Sequence, residues 1–149
     1  MNIINLLKGP ISGPYVYFIF TGDFVYIGET QRHPVIRWGA HLTAGGTLWR
    51  KLQENSKNIQ GKDLFNEDFT FISINCNSLF KKSIGPSRIV SQALEHNLHC
   101  VLKSNPSLFG WDKVILSNTD KTAPMKFNKW QDIEKISMEI VEKVIKTIN

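Results

Sequence analysis

The sequence predicts a single α+β domain: a small three-stranded antiparallel sheet flanked by helices, with an added C-terminal helix. Three observations predict it. Two strongly β-forming runs sit either side of a two-residue break, the signature of a hairpin. A third short β-branched and aromatic run lies further on, at Phe69–Ile74. Between and after the runs come segments with helical start signals and 3-4 apolar spacing. The length of 149 residues fits one domain.

The first strand is Tyr15-Val16-Tyr17-Phe18-Ile19-Phe20, aromatic and β-branched and therefore buried on both faces. Gly13-Pro14 leads into it extended. Thr21-Gly22-Asp23 breaks the run, and Phe24-Val25-Tyr26-Ile27-Gly28 resumes it as the second strand. With Gly22-Asp23 as a two-residue turn, Thr21 faces Phe24, Ile19 faces Tyr26 and Tyr15 faces Thr30. Tyr15, Tyr17 and Tyr26 then share one face. A three-residue loop would instead put Tyr26 on the face away from Tyr15.

Pro34 suits the first turn of a helix running to about Leu42, in which Arg37 and His41 share a face. A second helix is expected over Leu48–Asn55, and residues 56–68 read as a polar surface loop. Pro86 and Ser87 open a long helix that ends before Pro106. Its apolar positions are Ile89, Val90, Ala93, Leu94, Leu98, Val101 and Leu102. Beside them Arg88, Ser91, Glu95 and His99 form a polar stripe. Residues 107–125 read as irregular. Asn128 is expected to cap a last helix, within 126–148, that packs through Trp130, Ile133, Ile140, Val144 and Ile148.

Composition narrows the function classes. Hydrophobic content of 42% and aromatic content of 11% supply a normal core and argue against disorder. No run reaches 18 apolar residues, so no membrane span is expected. The N-terminal apolar run is too short and broken for a signal peptide, which points to the cytoplasm. Cys76 and Cys100 read as two free thiols. The net charge is +5 and the pI about 9.3, a balance that favours polyanion partners. The excess is uneven: residues 1–75 hold seven Lys/Arg against six Asp/Glu, so a basic face must draw on later residues. Lys81, Lys82, Arg88 and Lys103 are the expected nucleic-acid-binding residues, and Lys113 is a further candidate.

One ordered set of residues carries chemistry. Gly13-Pro14-Tyr15 is followed, ten residues intervening, by Tyr26-Ile27-Gly28. Arg37-Trp38-Gly39-Ala40-His41 comes next, and Glu95 lies on the long helix in Ala93-Leu94-Glu95-His96-Asn97-Leu98. This order and spacing resembles the GIY-YIG nuclease family over residues 13–110. The chain departs from the family pattern at Pro14, which stands where an aliphatic residue is usual. Asn105, ten residues after Glu95, is the candidate for the family's supporting Asn.

The resemblance implies a divalent-metal-dependent endonuclease that hydrolyses phosphodiester bonds, in DNA with RNA not excluded, leaving 5′-phosphate and 3′-hydroxyl ends. Its implied catalytic residues are Tyr15, Tyr26, Arg37, His41 and Glu95. Glu95 is the expected ligand of one Mg²⁺ or Mn²⁺, which acts as Lewis acid and leaving-group stabiliser. Arg37 would clamp the phosphate, since its planar fork matches two phosphate oxygens. Tyr15 would orient or deprotonate the water, Tyr26 would hold the scissile phosphate, and His41 would relay a proton or bind phosphate. Which tyrosine is the base is left open.

Tyr17 reads as a core tyrosine, and of the tryptophans Trp49, beside Arg50 and Lys51, is the one placed for stacking on a base or sugar. His96, His99 and Cys100 lack the further partners of a closed zinc site. Segments 43–68 and 107–125 are the expected sequence-reading elements, acting in a monomer or a homodimer. A catalytically silent nucleic-acid-binding or partner-binding module on the same fold is the competing expectation.

Overall fold

Alternation in the first hairpin organises the molecule. In the computed structural model, which describes residues 12–43, 45–55, 68–77, 84–110, 112–117 and 123–149, strand β1 (Ser12–Thr21) pairs antiparallel with β2 (Phe24–Arg32). Tyr15 lies opposite Thr30, Ile19 opposite Tyr26 and Thr21 opposite Phe24, the register of a two-residue turn. Gly22 takes φ 52 in that turn, a left-handed conformation open to glycine at little cost. On the chain order α1 (Pro34–His41), α2 (Thr47–Asn55), β3 (Thr70–Asn75), α3 (Ser87–Ser104), β4 (Val114–Ile115) and α4 (Trp130–Ile148) follow.

The sheet is four-stranded and mixed, in the order β3-β1-β2-β4, rather than three-stranded and antiparallel. β3 flanks β1 antiparallel as expected. The added strand, β4, runs parallel to β2 against Phe24 and Val25, inside the segment read as irregular. Two residues leave no alternation to detect, and what fixes β4 is tertiary. Lys113, just ahead of it, is only 5% exposed and donates from Nζ to the Gly22 carbonyl at 2.7 Å, with the ammonium over the Phe20 ring. Lys113 therefore braces the hairpin turn and does not join a basic face.

Two further expectations change. Pro14 lies inside β1, a central strand, at a break in register between Ser12 and Tyr15. A residue without an N–H is tolerated in a sheet at such an irregularity. The last helix is capped at Lys129 with no side-chain hydrogen bond, so Asn128 does not cap it. Among the described residues no helix is long and apolar enough to cross a membrane.

Residues paired across strands share a face, so the register sorts the side chains into two layers. Val16, Phe18, Phe20, Val25 and Ile27 face α3 and α4, where Val90, Ala93, Leu94, Leu98, Ile133, Ile140 and Val144 close the main core. Ile89, expected in the apolar set of α3, is 39% exposed. Tyr17, Ile19 and Tyr26 face α1 and α2 and form a smaller core with Trp38, Leu48 and Leu52. Trp49 packs against this second core.

Candidate active site

The site lies along the outer edge of β2. β4 covers only the Phe24–Val25 end of that edge, so the rest of β2 lies between α1 on one side of the sheet and α3 on the other. Pro34 starts α1, and the buried His33 caps it by accepting a hydrogen bond from the Val35 N–H at Nδ1, 3.3 Å. One turn separates Arg37 from His41, so both side chains leave α1 on the same side.

Tyr17 meets them. It lies opposite Gly28, and a Cβ at Gly28 would collide with Cζ and Oη of the Tyr17 ring. The bare backbone of Gly28 thus lets that ring lie across β2. Tyr17 is 1% exposed, and its hydroxyl reaches His41 Nε2 at 3.0 Å, with the Arg37 guanidinium close enough to act on it electrostatically. Proton directions follow. With the ring proton of His41 on Nδ1, Nε2 accepts the Tyr17 hydroxyl proton. His41 is buried, and desolvation with the nearby Arg37 charge holds it down to about 4, so it is a neutral acceptor at pH 7. Tyr26 stacks parallel to Tyr17 at 6.5 Å and lies 4.6 Å from the His41 ring.

Glu95 enters from α3. Loss of solvent, then the charge of Glu29, push its carboxyl up to about 8, against the pull of Arg37. Burial and the Glu95 charge raise Tyr26, so its phenol keeps its proton at neutral pH. Burial does the same to Tyr17. Arg37 is held firmly protonated, first by Tyr17 and then by Tyr26 and Glu29. Arg37, Glu95, Tyr17 and Tyr26 thus form one electrostatically interacting group drawn from four elements.

Two polar chains fix the α3 side. Ser91, fully buried, donates to Glu29 Oε2 at 2.9 Å and accepts from Gln31 Nε2 at 2.8 Å. One turn past Glu95, His99 is also fully buried. Its Nδ1 faces the Glu95 carbonyl at 2.7 Å and so carries the proton. Its Nε2 then accepts from the Ser117 hydroxyl, whose oxygen accepts from the Ile27 N–H at 3.0 Å. The stripe of Ser91, Glu95 and His99 read from the sequence therefore faces the sheet edge rather than solvent.

The other expected site residues fall as follows. Tyr15 is buried with its ring edge-on to His33 at 5.7 Å. Asn105 is the exposed residue that ends α3. Arg88 and Lys103 are exposed at opposite ends of α3, while Lys81, Lys82 and Trp111 lie outside the described residues, as does the loop 56–67. His96 packs on Trp130 and lies 3.6 Å from Cys100 Sγ, away from the buried His99. Cys76 and Cys100 are free.

The sequence reading missed Tyr17, Glu29 and His33. Tyr17 could have been found from its place on the tyrosine face opposite Gly28, and Glu29 from its place directly after the Tyr-Ile-Gly triplet. Nothing in the sequence marks His33, because His is not a common cap.

No cluster of three or more His, Cys, Asp or Glu converges among the described residues, so no all-protein metal cage is formed there. Glu95 nonetheless suits a hard divalent ion. A half-buried carboxyl driven toward its protonated form, first by loss of solvent and then by the Glu29 charge, is one at which a cation can take the place of the proton. An ion of the Mg²⁺ type needs only one or two carboxylates, with water and phosphate oxygens for the rest. The chain matches no family model, no curated protein and no solved structure.

Proposed function

We propose that this chain is a GIY-YIG-type endonuclease that hydrolyses phosphodiester bonds in DNA with the help of one Mg²⁺ or Mn²⁺. The observation that carries this reading is the convergence at one strand edge of Tyr17 and Tyr26 with His41, Arg37 one turn before His41 on α1, and Glu95 on the α3 helix that packs on β2. A cationic fork, a carboxylate and two hydroxyl donors are the groups that phosphodiester hydrolysis requires.

Arg37 is the phosphate clamp. It lies beside the Tyr17 hydroxyl, one turn before His41 on α1, and its planar fork would engage phosphate oxygens. Tyr26 is half-buried and keeps its proton, so it donates to the phosphate or to the attacking water instead of acting as a base. Tyr17 takes the place expected of Tyr15. Its buried hydroxyl, bonded to the neutral His41 Nε2, fixes the Tyr17–His41 side of the site and so positions the groups that face substrate. Neutral His41 does not bind phosphate as a cation. Glu95 holds the divalent ion, which when bound supplies Lewis-acid polarisation and a stabilised leaving oxygen. Exposed Arg88 would contact the DNA backbone, and Lys103 is exposed at the far end of the same helix.

A catalytically silent nucleic-acid-binding module is the second reading. It draws support from Asn105, which caps the exposed end of α3 through its backbone. Supercoiled plasmid incubated with Mg²⁺ or Mn²⁺ separates the two. The parent protein is expected to nick it, EDTA to stop the reaction, and Glu95→Ala and Arg37→Ala to abolish most of it. Equal nicking by all three proteins would refute the catalytic assignment, and DNA binding without nicking would establish the silent module.

A further inference from the structure

Glu29 has a constrained position that the reading above does not use. Its neighbour Gly28 is fixed by the Tyr17 ring, so the course of β2 at this point is set. Both hydrogen bonds to its carboxylate arrive at one oxygen: Ser91 at 2.9 Å and Gln31 at 3.3 Å, each to Oε2. Ser91 is itself fully buried on α3 and receives Gln31 Nε2, and Gln31 Oε1 in turn receives the Ser87 hydroxyl at 3.4 Å. Three residues thus orient a single carboxylate and leave Oε1 without a hydrogen bond among the described residues. Glu95 stands one turn after Ser91 and one turn before His99 on α3, so the Ser91–Glu29 bond and the His99–Ser117–Ile27 chain bracket it beside residues 27–29 of β2.

Two carboxyl groups held close on neighbouring elements do not both ionise readily, and one keeps its proton unless a cation takes its place. A divalent ion at Glu95 would take that place and let both carry charge. Such an ion keeps several of its waters, and an oriented carboxylate oxygen is the acceptor that those waters need.

We propose that Glu29 is a positioning residue for the divalent cation at Glu95, supplying a second negative charge and accepting hydrogen bonds from the cation's water shell. The proposal rests on the reading of Glu95 as the metal ligand. Ser91 is the support that holds Glu29 in this role, since it ties β2 to α3 at the level of the site.

Calorimetric titration with Mn²⁺, backed by the manganese resonance signal, tests it without any nuclease assay. The parent, Glu29→Gln, Glu95→Gln and Ser91→Ala proteins are compared, with circular dichroism and the thermal midpoint as controls on folding. Binding is expected to be nearly abolished in Glu95→Gln, weakened about 10–100-fold in Glu29→Gln, and weakened to a smaller extent in Ser91→Ala. If Glu95→Gln loses binding while Glu29→Gln binds as the parent does, the role of Glu29 is overturned and the metal site stands. A lowered thermal midpoint in Glu29→Gln with unchanged Mn²⁺ affinity has the same consequence, because Glu29 then serves only to join β2 to α3. A parent that takes up no Mn²⁺, or a Glu95→Gln protein that binds as the parent does, overturns both readings together.

Discussion

The two faces of the sheet are built from opposite materials. Toward α3 and α4 the strands present Val16, Phe18, Phe20, Val25 and Ile27 to a dry aliphatic and aromatic layer. Toward α1 the same two strands present Tyr17, Gly28 and Tyr26 to Arg37 and His41, with the Tyr17 hydroxyl bonded to the His41 imidazole and the guanidinium alongside. One hairpin serves both, because its side chains alternate and its register is pinned by a two-residue turn. The difference teaches that stability and chemistry are separable here. Apolar burial holds the hairpin from one side, which leaves the other side free to carry buried polar groups that only partly repay their desolvation.

Substitutions can break or sharpen this separation. The largest effect is expected from Phe18→Ala, which empties a fully buried ring site between the sheet and Phe109. Its cost is about 3–5 kcal/mol in urea denaturation, with the nicking rate of the folded fraction unchanged. Arg37→Ala should do the reverse. The rate is expected to fall about 10²–10³-fold, while stability stays within roughly 0.5 kcal/mol, as single-turnover nicking and denaturation together would report. A comparable loss of stability in both variants would show that the two faces are not independent.

Gly28→Ala joins the two effects, because the added methyl must displace the Tyr17 ring. We expect about 1–3 kcal/mol of destabilisation, together with lost nicking. Tyr17→Phe provides the contrast: it keeps the ring but frees Arg37 and His41, so it should lower the rate more than the stability.

The smallest effects are in pH dependence, and they have opposite signs. Glu95 titrates near 8 in the folded protein against 4.5 for an ordinary Glu. Its contribution to stability is complete below pH 4.5 and is lost as pH rises through 8. Glu95→Gln should therefore gain stability over the parent across that window, measured without divalent ions. Arg37 and partial exposure of the site keep the gain below its ideal value. His41 titrates near 4 against 6.5. Its contribution is complete above pH 6.5 and is lost as pH falls through 4. His41→Gln, which retains an acceptor for Tyr17, should flatten that acid limb. A parent-like acid limb in His41→Gln would place the titrating group elsewhere.

The sequence carried a good part of this arrangement, and the exceptions have physical causes. The Gly22-Asp23 break and the alternation around it gave the hairpin register, and Pro34, Pro86 and Ser87 gave the helix starts, because turn and cap chemistry is local. The tyrosine was harder to choose. Tyr15 and Tyr17 lie on the same face, and only the position of α1, set by packing of Trp38 and Leu48, decides which hydroxyl meets Arg37. β4 was invisible because two residues held by Lys113 and Ser117 have no period. Glu29 and Glu95 become neighbours only when α3 packs on β2, a non-local event without a residue-level signal.

The Ser117–His99 pair has a consequence for how the molecule behaves in company. A strand edge that stops being covered halfway along would ordinarily offer its amides to any passing extended chain, the route by which sheets recruit one another into aggregates. Here the first amide beyond the short parallel strand, that of Ile27, is already bonded to a hydroxyl, and a buried imidazole holds that hydroxyl in place. The uncovered stretch of β2 therefore gives a foreign strand no first hydrogen bond from which to zip.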